Sequence, residues 1–476
     1  MVSRRTLLAG AAVAAEATLT NPAPAQVAVA AVNIGSRREL LVDDHLIEKL
    51  TQARQVLHSP VPHEIALDHN VPWEGNTCTY HTVFRDGDRY RMYYRGSHFD
   101  ESANKSGHAQ VVGYAESADG IHWTRPELGL FEFEGSRKNN IVWVGPNAEH
   151  NFAPFRDLNP GARAEARYKA VGSGKGGLFA FQSPDGIHWS PLRPEPIITN
   201  GAFDSLNLAF WDTERRLYVD YHRKGRNGVR SIMTCTSPDF ERWTEPEFLE
   251  FPGAPTEHLY TNAIQRYHRA PQLLIGFPKR YTPVRNPTMH SGEGVSDAVF
   301  MTSRDGRHFH RWTEAFVRPG LQPSRWVNRN NLPAWGMVET ASDLTGAPPE
   351  LSCYTTEGYY RGPSCRLRRH ALRLDGFVSV QGSFAGGEVQ TKPLLFQGEN
   401  LHFNYSTSGA GSLRVEVQDA AGRALPGLSL QDSPEIFGDE LDGKIILKQP
   451  LAPLQGKPIR LRIALRDADL YALRFG

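Results

Sequence analysis

The chain has 476 residues and a formal net charge of +1 at pH 7, with 53 Lys and Arg against 52 Asp and Glu. That length allows a large core and two domains, and the balanced charge argues against nucleic acid or an anionic membrane as partner. The 43 glycines and 33 prolines, with few helical patterns, suit an all-β protein with many turns.

The first 30 residues read as an address. Ser3-Arg4-Arg5-Thr6-Leu7-Leu8 is a twin-arginine signature followed by an Ala-rich apolar run to about Leu19, and Ala23-Pro24-Ala25 suits cleavage. The expectation is an exported, periplasmic or extracellular protein, not held by a membrane once residues 1–30 are removed. An apolar strand interrupted by Asp43 and Asp44 follows at 38–47 and is expected to lie across the units behind it.

From residue 76 a repeat organises the chain. Ser117-Ala118-Asp119-Gly120-Ile121-His122-Trp123 returns as Ser183-Pro184-Asp185-Gly186-Ile187-His188-Trp189, then as Ser237-Pro238-Asp239-Phe240-Glu241-Arg242-Trp243, and again as Ser303-Arg304-Asp305-Gly306-Arg307-His308-Phe309. Each copy follows a strand-like run. Asp-Gly makes the turn, because Gly accepts φ > 0 and Asp bonds its own backbone. In the first unit the expected strands are 79–84, 89–94, 111–115 and 122–124. Later units begin near residues 150, 204 and 259, and a degenerate fifth begins near 330 and ends at Asp375-Gly376. Five four-stranded units in line predict a five-bladed β-propeller over 31–382. After Gly382 the repeat stops, and alternating strands at 401–405, 413–417 and 459–464 predict a β-sandwich accessory domain over 383–476.

Four cysteines are too few for a disulfide scaffold. Cys353 and Cys365 flank a hairpin turn near Tyr359, which allows a cross-strand bond; Cys78 and Cys235 read as small buried residues. No CxxC or HExxH string occurs, so no metal and no cofactor is expected.

In a propeller the first strand of every blade lines the channel, so polar residues at its start converge. Acids recur there: Glu74 before blade one, Asp157 in blade two, Asp204 opening blade three, Glu257 opening blade four and Glu339 in blade five. Neighbouring early-strand positions hold His81, Asn151, Asn207, His258, Tyr260, Asn262, Arg329 and Asn331, all suited to sugar hydroxyls, and Arg95, Arg223 and Arg280 end second strands near the channel. The catalytic candidates are Glu74, Asp157, Asp204 and Glu257. The Asp of each repeated turn is expected to hold its turn and to stay out of the site.

This layout resembles the five-bladed propeller glycosidases, the superfamily of glycoside hydrolase families 32, 43, 68 and 117, with a trailing sandwich as in family 32. The resemblance implies a base or nucleophile before blade one, a second acid in blade two and a general acid in blade three, which fall on Glu74, Asp157 and Asp204. The chain departs from family 32 in having Trp73-Glu74-Gly75-Asn76 where that family has an Asn-Asp-Pro-like motif, and in lacking Arg-Asp-Pro and Glu-Cys-Pro strings.

The expected function is hydrolysis of glycosidic bonds in a polysaccharide or oligosaccharide by two channel carboxyls, one protonating the leaving oxygen and the other attacking carbon or activating water. Glu257 or Asp204 is the favoured acid and Glu74 the favoured base or nucleophile. Three alternatives stand beside it. A non-catalytic sugar-binding propeller would keep aromatics and lose the acids. A phosphorolytic enzyme would need basic residues beside the acid. A sialidase would need three arginines and a tyrosine nucleophile, for which Tyr354, Tyr359 and Tyr360 with Arg361 are available.

Overall fold

The structure, a computed structural model, describes residues 31–285 and 294–476; the expected export segment, 1–30, lies outside the described residues. It is almost wholly β, and five antiparallel sheets form the blades of a propeller. Blade 1 runs outward from Thr79–Asp86 through Arg89–Gly96 and Val111–Ser117 to Ile141–Val144. Blade 2 is Phe152–Arg156, Tyr168–Gly174, Gly177–Ser183 and Ser190–Pro191. Blade 3 is Leu208–Asp212, Leu217–Arg226, Val229–Ser237 and Glu247–Phe248. Blade 4 has its two inner strands each in two pieces, His258–Leu259 with Gln265–Tyr267 and Ala270–Gly276 with Lys279–Thr282, and Val295–Ser303 and His310–Val317 outside.

Two expectations about the blades change. The outer strand of blade 1 is Ile141–Val144, because residue 124 meets Glu116 in a single isolated bridge and the chain then loops out before returning. The fifth blade is not closed by chain that follows it. Its strands Glu350–Glu357 and Arg366–Leu372 are completed by Val61–Asp68 from the N-terminal side. This pairing ties the two ends of the ring. Arg369, fully buried, fixes it through Glu64 on the N-terminal strand and Glu350 on its neighbour.

The repeated turns tie each blade to the next. In the second copy Asp185 Oδ1 accepts from the backbone N–H of Ile187 and His188 at 2.8 and 2.9 Å, and Ser183 Oγ accepts from Gly186 N–H at 2.8 Å. The turn carbonyl then accepts a phenol from the preceding blade: Tyr93 on Gly186 and Tyr221 on Gly306, at 2.8 and 3.1 Å, and Tyr354 on Gly120. The turn aspartates are therefore structural, and none lies at the channel.

Apart from a two-stranded ribbon of Phe99–Asp100 and Lys105–Ser106, the remaining strands form one ten-stranded sheet. Its long members are Leu401–Asp419 and Ile459–Phe475, whose inward faces carry buried Leu413, Val415, Leu461, Ile463 and Phe475. The sheet also takes Val32–Gly35, Glu39–Leu40, Ile47–Thr51 and Ala53–Leu57. Ile34, Leu41, Leu46 and Ile47 complete its apolar core. The 38–47 stretch pairs with this sheet and also packs on blade 4, where Leu40 and Val42 enter its core, Arg304 donates to Glu39 and Trp312 donates to the Val42 carbonyl; the sheet draws on chain from both sides of the 382/383 boundary.

All four cysteines are free and buried. Cys353 pairs across its hairpin with His370, so the register keeps it from Cys365. Cys365 instead directs its thiol to the Gly75 and Cys78 carbonyls, both at 3.2 Å.

Candidate active site

Every blade begins with a short lead into its inner strand, and these leads surround one cavity of about 280 Å³. Blade 1 supplies Tyr80 and Arg95, blade 2 His150, blade 3 Asp204, blade 4 Tyr260 and Lys279, and blade 5 Arg329, Tyr359 and Tyr360. Contributions from all five blades place the cavity over the axis of the ring.

Backbone strain gathers here. Tyr80, Arg329 and Tyr360 all have positive φ, at 57°, 71° and 57°. Non-glycine residues in that region cost of order 1–3 kcal/mol each and concentrate at functional sites. At Tyr80 the cause is a bulge: the register of the inner strand shifts between Thr79 and Thr82 and turns the phenol toward the axis.

Asp204 stands before the inner strand of blade 3, with its side chain 70% exposed. Its carboxylate accepts from Arg223. Its carbonyl is held by two phenols from other blades, Tyr80 at 3.1 Å and Tyr260 at 2.9 Å. Arg95 is 4% exposed; it donates to the Thr77 carbonyl and to Tyr359 Oη at 2.7 and 2.6 Å, and it lies over the Tyr80 ring. His150 contacts Arg95, and burial together with that guanidinium lowers its pKa to about 3, so its imidazole is neutral. Lys279, 2% exposed, sits 4.5 Å from the Tyr260 ring centre. Burial lowers the Lys279 pKa well below its ordinary value, and the charges of Arg329, Arg230 and Arg223 act in the same direction.

The other expected acids are committed elsewhere. Glu74 is 2% exposed and forms a closed cluster: Arg125 binds both its oxygens at 2.8 Å, Tyr94 donates at 2.6 Å, and His69 Nδ1 lies 3.4 Å away. Burial opposes its charge, but His69 and Arg125 outweigh burial and lower its pKa. Asp157 is buried against Lys169 and the Tyr218 hydroxyl, an ion pair beneath the blade 3 turn. Glu257 accepts from Arg311 at 2.6 Å and Arg280 at 3.2 Å in a separate groove. Glu339 pairs with His268 at 2.7 Å. The four catalytic candidates therefore do not converge, and only Asp204 reaches the cavity.

The expected sugar-binding residues divide in the same way. Arg95, Tyr260 and Arg329 line the cavity, and Arg223 reaches it through Asp204. His258 is beside it, accepting from the Arg230 N–H at 3.2 Å and packing on Tyr281. Asn151, Asn262 and Asn331 tie neighbouring blades, and Asn207 braces the lead of its own blade. Asn151 donates to the Phe203 and Ser205 carbonyls at 2.5 and 2.7 Å, and Asn207 to the same two at 2.9 and 3.0 Å. Asn262 donates to the Tyr221 carbonyl at 3.1 Å and Asn331 to Ser296 at 2.9 Å. His81 is buried, with Nε2 2.9 Å from His69 Nε2. Sequence reasoning missed Tyr80, His150 and Lys279, and it met Tyr359 and Tyr360 only in another role.

Among the described residues one group has metal-ligand chemistry, the buried Asp220, His222 and Cys235. Both His222 nitrogens are engaged, Nδ1 by Asp220 and Nε2 by the Asn200 carbonyl at 3.0 Å, and none of the three residues lines the cavity.

No family model matches the chain. The uncharacterised protein Rv1502 of Mycobacterium tuberculosis is 27% identical over 128 residues, 27% of this chain and 38% of its own length, so the match spans well under half of that relative. Three solved structures are similar in chain path. One described as a glycoside hydrolase is 12% identical with a TM-score of 0.44, over 66% of this chain and 92% of that one. The catalytic domain of the Coprinopsis cinerea GH62 α-L-arabinofuranosidase is 10% identical with a TM-score of 0.41, over 67% and 98%. A structure titled for the GH130 family of mannoside phosphorylases, containing glycoside hydrolases that target β-1,2 mannosidic linkages in Candida mannan, is 14% identical with a TM-score of 0.39, over 69% and 95%.

Proposed function

We propose that the axial cavity is the active site of a carbohydrate-active enzyme that cleaves a glycosidic bond, with Asp204 transferring the proton at the glycosidic oxygen. One observation carries this reading. Among the described residues Asp204 is the only carboxylate lining the cavity, and it stands exposed on a backbone pinned by two phenols from other blades. The surrounding phenols, imidazole and guanidinium groups supply ring faces and hydroxyl partners of the kind a sugar needs.

Hydrolysis by a carboxylate pair needs a second carboxyl within roughly 5–9.5 Å of the first. The described residues offer none in the cavity, and in this reading the attacking group is water or a co-substrate. A tyrosine nucleophile is disfavoured at Tyr359, whose pKa burial raises despite the nearby Arg95. Export, read from Ser3-Arg4-Arg5 and the apolar run behind it, would make the substrate a periplasmic or extracellular glycan.

The test is Asp204→Asn on a glycan panel. The expected result is a loss of about 10²-fold or more in kcat, the scale of general acid–base catalysis, with an unchanged melting temperature. Wild-type turnover by this variant would overturn the reading.

A further inference from the structure

The charge around the cavity is lopsided. Arg95 and Lys279 line it, Arg230 lines the adjoining lobe of about 370 Å³, and Arg223 reaches in from behind Asp204. Among the described residues one carboxylate, Asp204, lines it, and Arg223 already binds it. Among the described residues, no carboxylate lies within ion-pair distance of Arg95, Arg230 or Lys279. Elsewhere this chain neutralises its buried cations: Arg369 has Glu64 and Glu350, Arg125 has Glu74, Arg91 has Asp86, and Lys169 has Asp157. A buried charge is costly unless it is paired, so buried Arg95 without an anion, beside a buried Lys279 and a partly exposed Arg230 that also lack one, is an exception to the protein's own habit.

Their arrangement is directional. Lys279 Nζ lies 4.5 Å and the Arg230 guanidinium 5.8 Å from the Tyr260 ring centre. Arg95 lies 5.0 Å from the ring centre of Tyr80, whose hydroxyl is 2.7 Å from that of Tyr260. The cations therefore flank the tyrosine pair that carries Asp204. Among the described residues only Asn328 Oδ1, at 3.0 Å, accepts from Lys279 Nζ, which leaves two of its three donors for a ligand. Burial and neighbouring cations favour the neutral amine in the empty site; an anion beside it reverses that balance.

Resting on the active-site reading above, we propose that the lobe between Lys279 and Arg230 binds a small oxyanion during turnover, either the carboxylate of an acidic sugar or inorganic phosphate. The two sources share one chemistry, several oxygen acceptors bearing negative charge, which suits an ammonium beside a guanidinium. With an acidic sugar the oxyanion orients the substrate and forms no bond. With phosphate, one of its oxygens bonds to the anomeric carbon as the glycosidic C–O bond breaks, and Asp204 passes a proton to the departing oxygen. The products are then a sugar phosphate and the shortened glycan.

The experiment is calorimetric titration of the full chain with inorganic phosphate, with galacturonate and with glucose, at constant ionic strength. Saturable binding of phosphate or galacturonate, and none of glucose, is expected. Arg230→Gln and Lys279→Met should each weaken it by about tenfold or more. Asp204→Asn, which removes the site's own negative charge, should tighten it. Galacturonate binding alone identifies an acidic sugar; phosphate binding, with sugar phosphate formed from the active glycan, identifies a co-substrate. If Lys279→Met fails to fold, Arg230→Gln at its partly exposed position decides. Absence of binding by both anions, or wild-type binding by Arg230→Gln, overturns the proposal. Full turnover by Asp204→Asn with anion binding intact would instead remove the acid and leave the oxyanion site standing.

Discussion

The hydroxyls of Tyr80 and Tyr260 lie 2.7 Å apart although their strands belong to blades 1 and 4, and the Asp204 carbonyl of blade 3 is 3.1 and 2.9 Å from them. Two phenolic protons thus serve three oxygens contributed by three blades, and the group they fix is the backbone of Asp204, the only carboxylate lining the cavity among the described residues. Tyr260→Phe keeps the ring under Lys279 and Arg223 and removes one of the two protons. It should lower kcat by about tenfold or more through misplacement of Asp204. Stability should change by only about 1 kcal/mol, the net worth of one hydrogen bond. Kinetics alongside denaturant unfolding would check this, and wild-type kcat would remove the positioning role.

Glu74 and Glu257 make the opposite forecast. Glu257→Gln alters a carboxylate in a separate groove and should leave turnover unchanged. Glu74→Gln leaves Arg125 and His69 without their buried anion, and should destabilise by roughly 3–5 kcal/mol, the range for breaking a buried pair. Turnover per folded molecule should stay at the wild-type value in both. A kcat loss of about 10²-fold in either variant would restore it as a catalytic group.

The propeller was legible because its turns repeat at fixed offsets, and Ser183 to Trp189 carries in seven residues both the hydrogen bonds and the aromatic that define one blade end. Closure by Val61–Asp68 was not, because a strand paired with residues about 300 positions away leaves no local trace. At the site, Asp204, Tyr260, Arg95 and Arg329 could be read from their place at inner-strand leads and second-strand ends. Tyr80 could not, since alternation assigns one of Tyr80 and His81 to the channel and the bulge between Thr79 and Thr82 reverses the choice. The same parity question hid Lys279 behind Arg280, which pairs with Asp297 at 2.7 Å and turns to Glu257. The asparagines misled because a short amide at a strand start serves a neighbouring blade's carbonyl as readily as a sugar hydroxyl.

His69 and Cys78 titrate as a pair. Burial opposes the charge of both, but Cys78 and Glu74 raise the His69 pKa to about 9 from 6.5, while Cys365 and His69 lower the Cys78 pKa to about 5 from 9.0. A raised folded pKa loses stability as pH rises from the unfolded to the folded value, and a lowered one gains it as pH rises from the folded to the unfolded value. The two cancel between about 6.5 and 9, and the pair's net dependence falls between about 5 and 6.5, where the unfolded chain binds one proton more. Urea unfolding should therefore show a loss of order 2 kcal/mol as pH falls from about 6.5 to 5. His69→Gln, which removes the cation beside the thiol, should lack this part of the acid dependence. An unchanged dependence in the variant would show that another group titrates.

The last forecast concerns the seam where the ring closes. Trp335 donates its backbone N–H to the His81 carbonyl at 2.9 Å and accepts from Val83 N–H at 2.7 Å, joining blade 5 to the inner strand of blade 1. Gly336 follows with φ of 107°, and a Cβ there would lie 1.7 Å from the Val83 carbonyl oxygen. Neither partner can yield cheaply, because Val83 is inner-strand backbone and Gly336 follows the hydrogen-bonded Trp335. Gly336→Ala should thus cost about 3 kcal/mol or more, from strain at positive φ together with overpacking. The comparison is Gly228→Ala, in a turn of blade 3 with φ of 78° and nothing within 4 Å of the new methyl. It carries only the backbone penalty, about 1 kcal/mol. Because the seam lies beside Tyr80, Gly336→Ala should also weaken substrate binding in whatever folds, while Gly228→Ala should not. Equal unfolding free energies for the two variants would mean that the seam gives way freely and that Trp335 does not hold the ring shut.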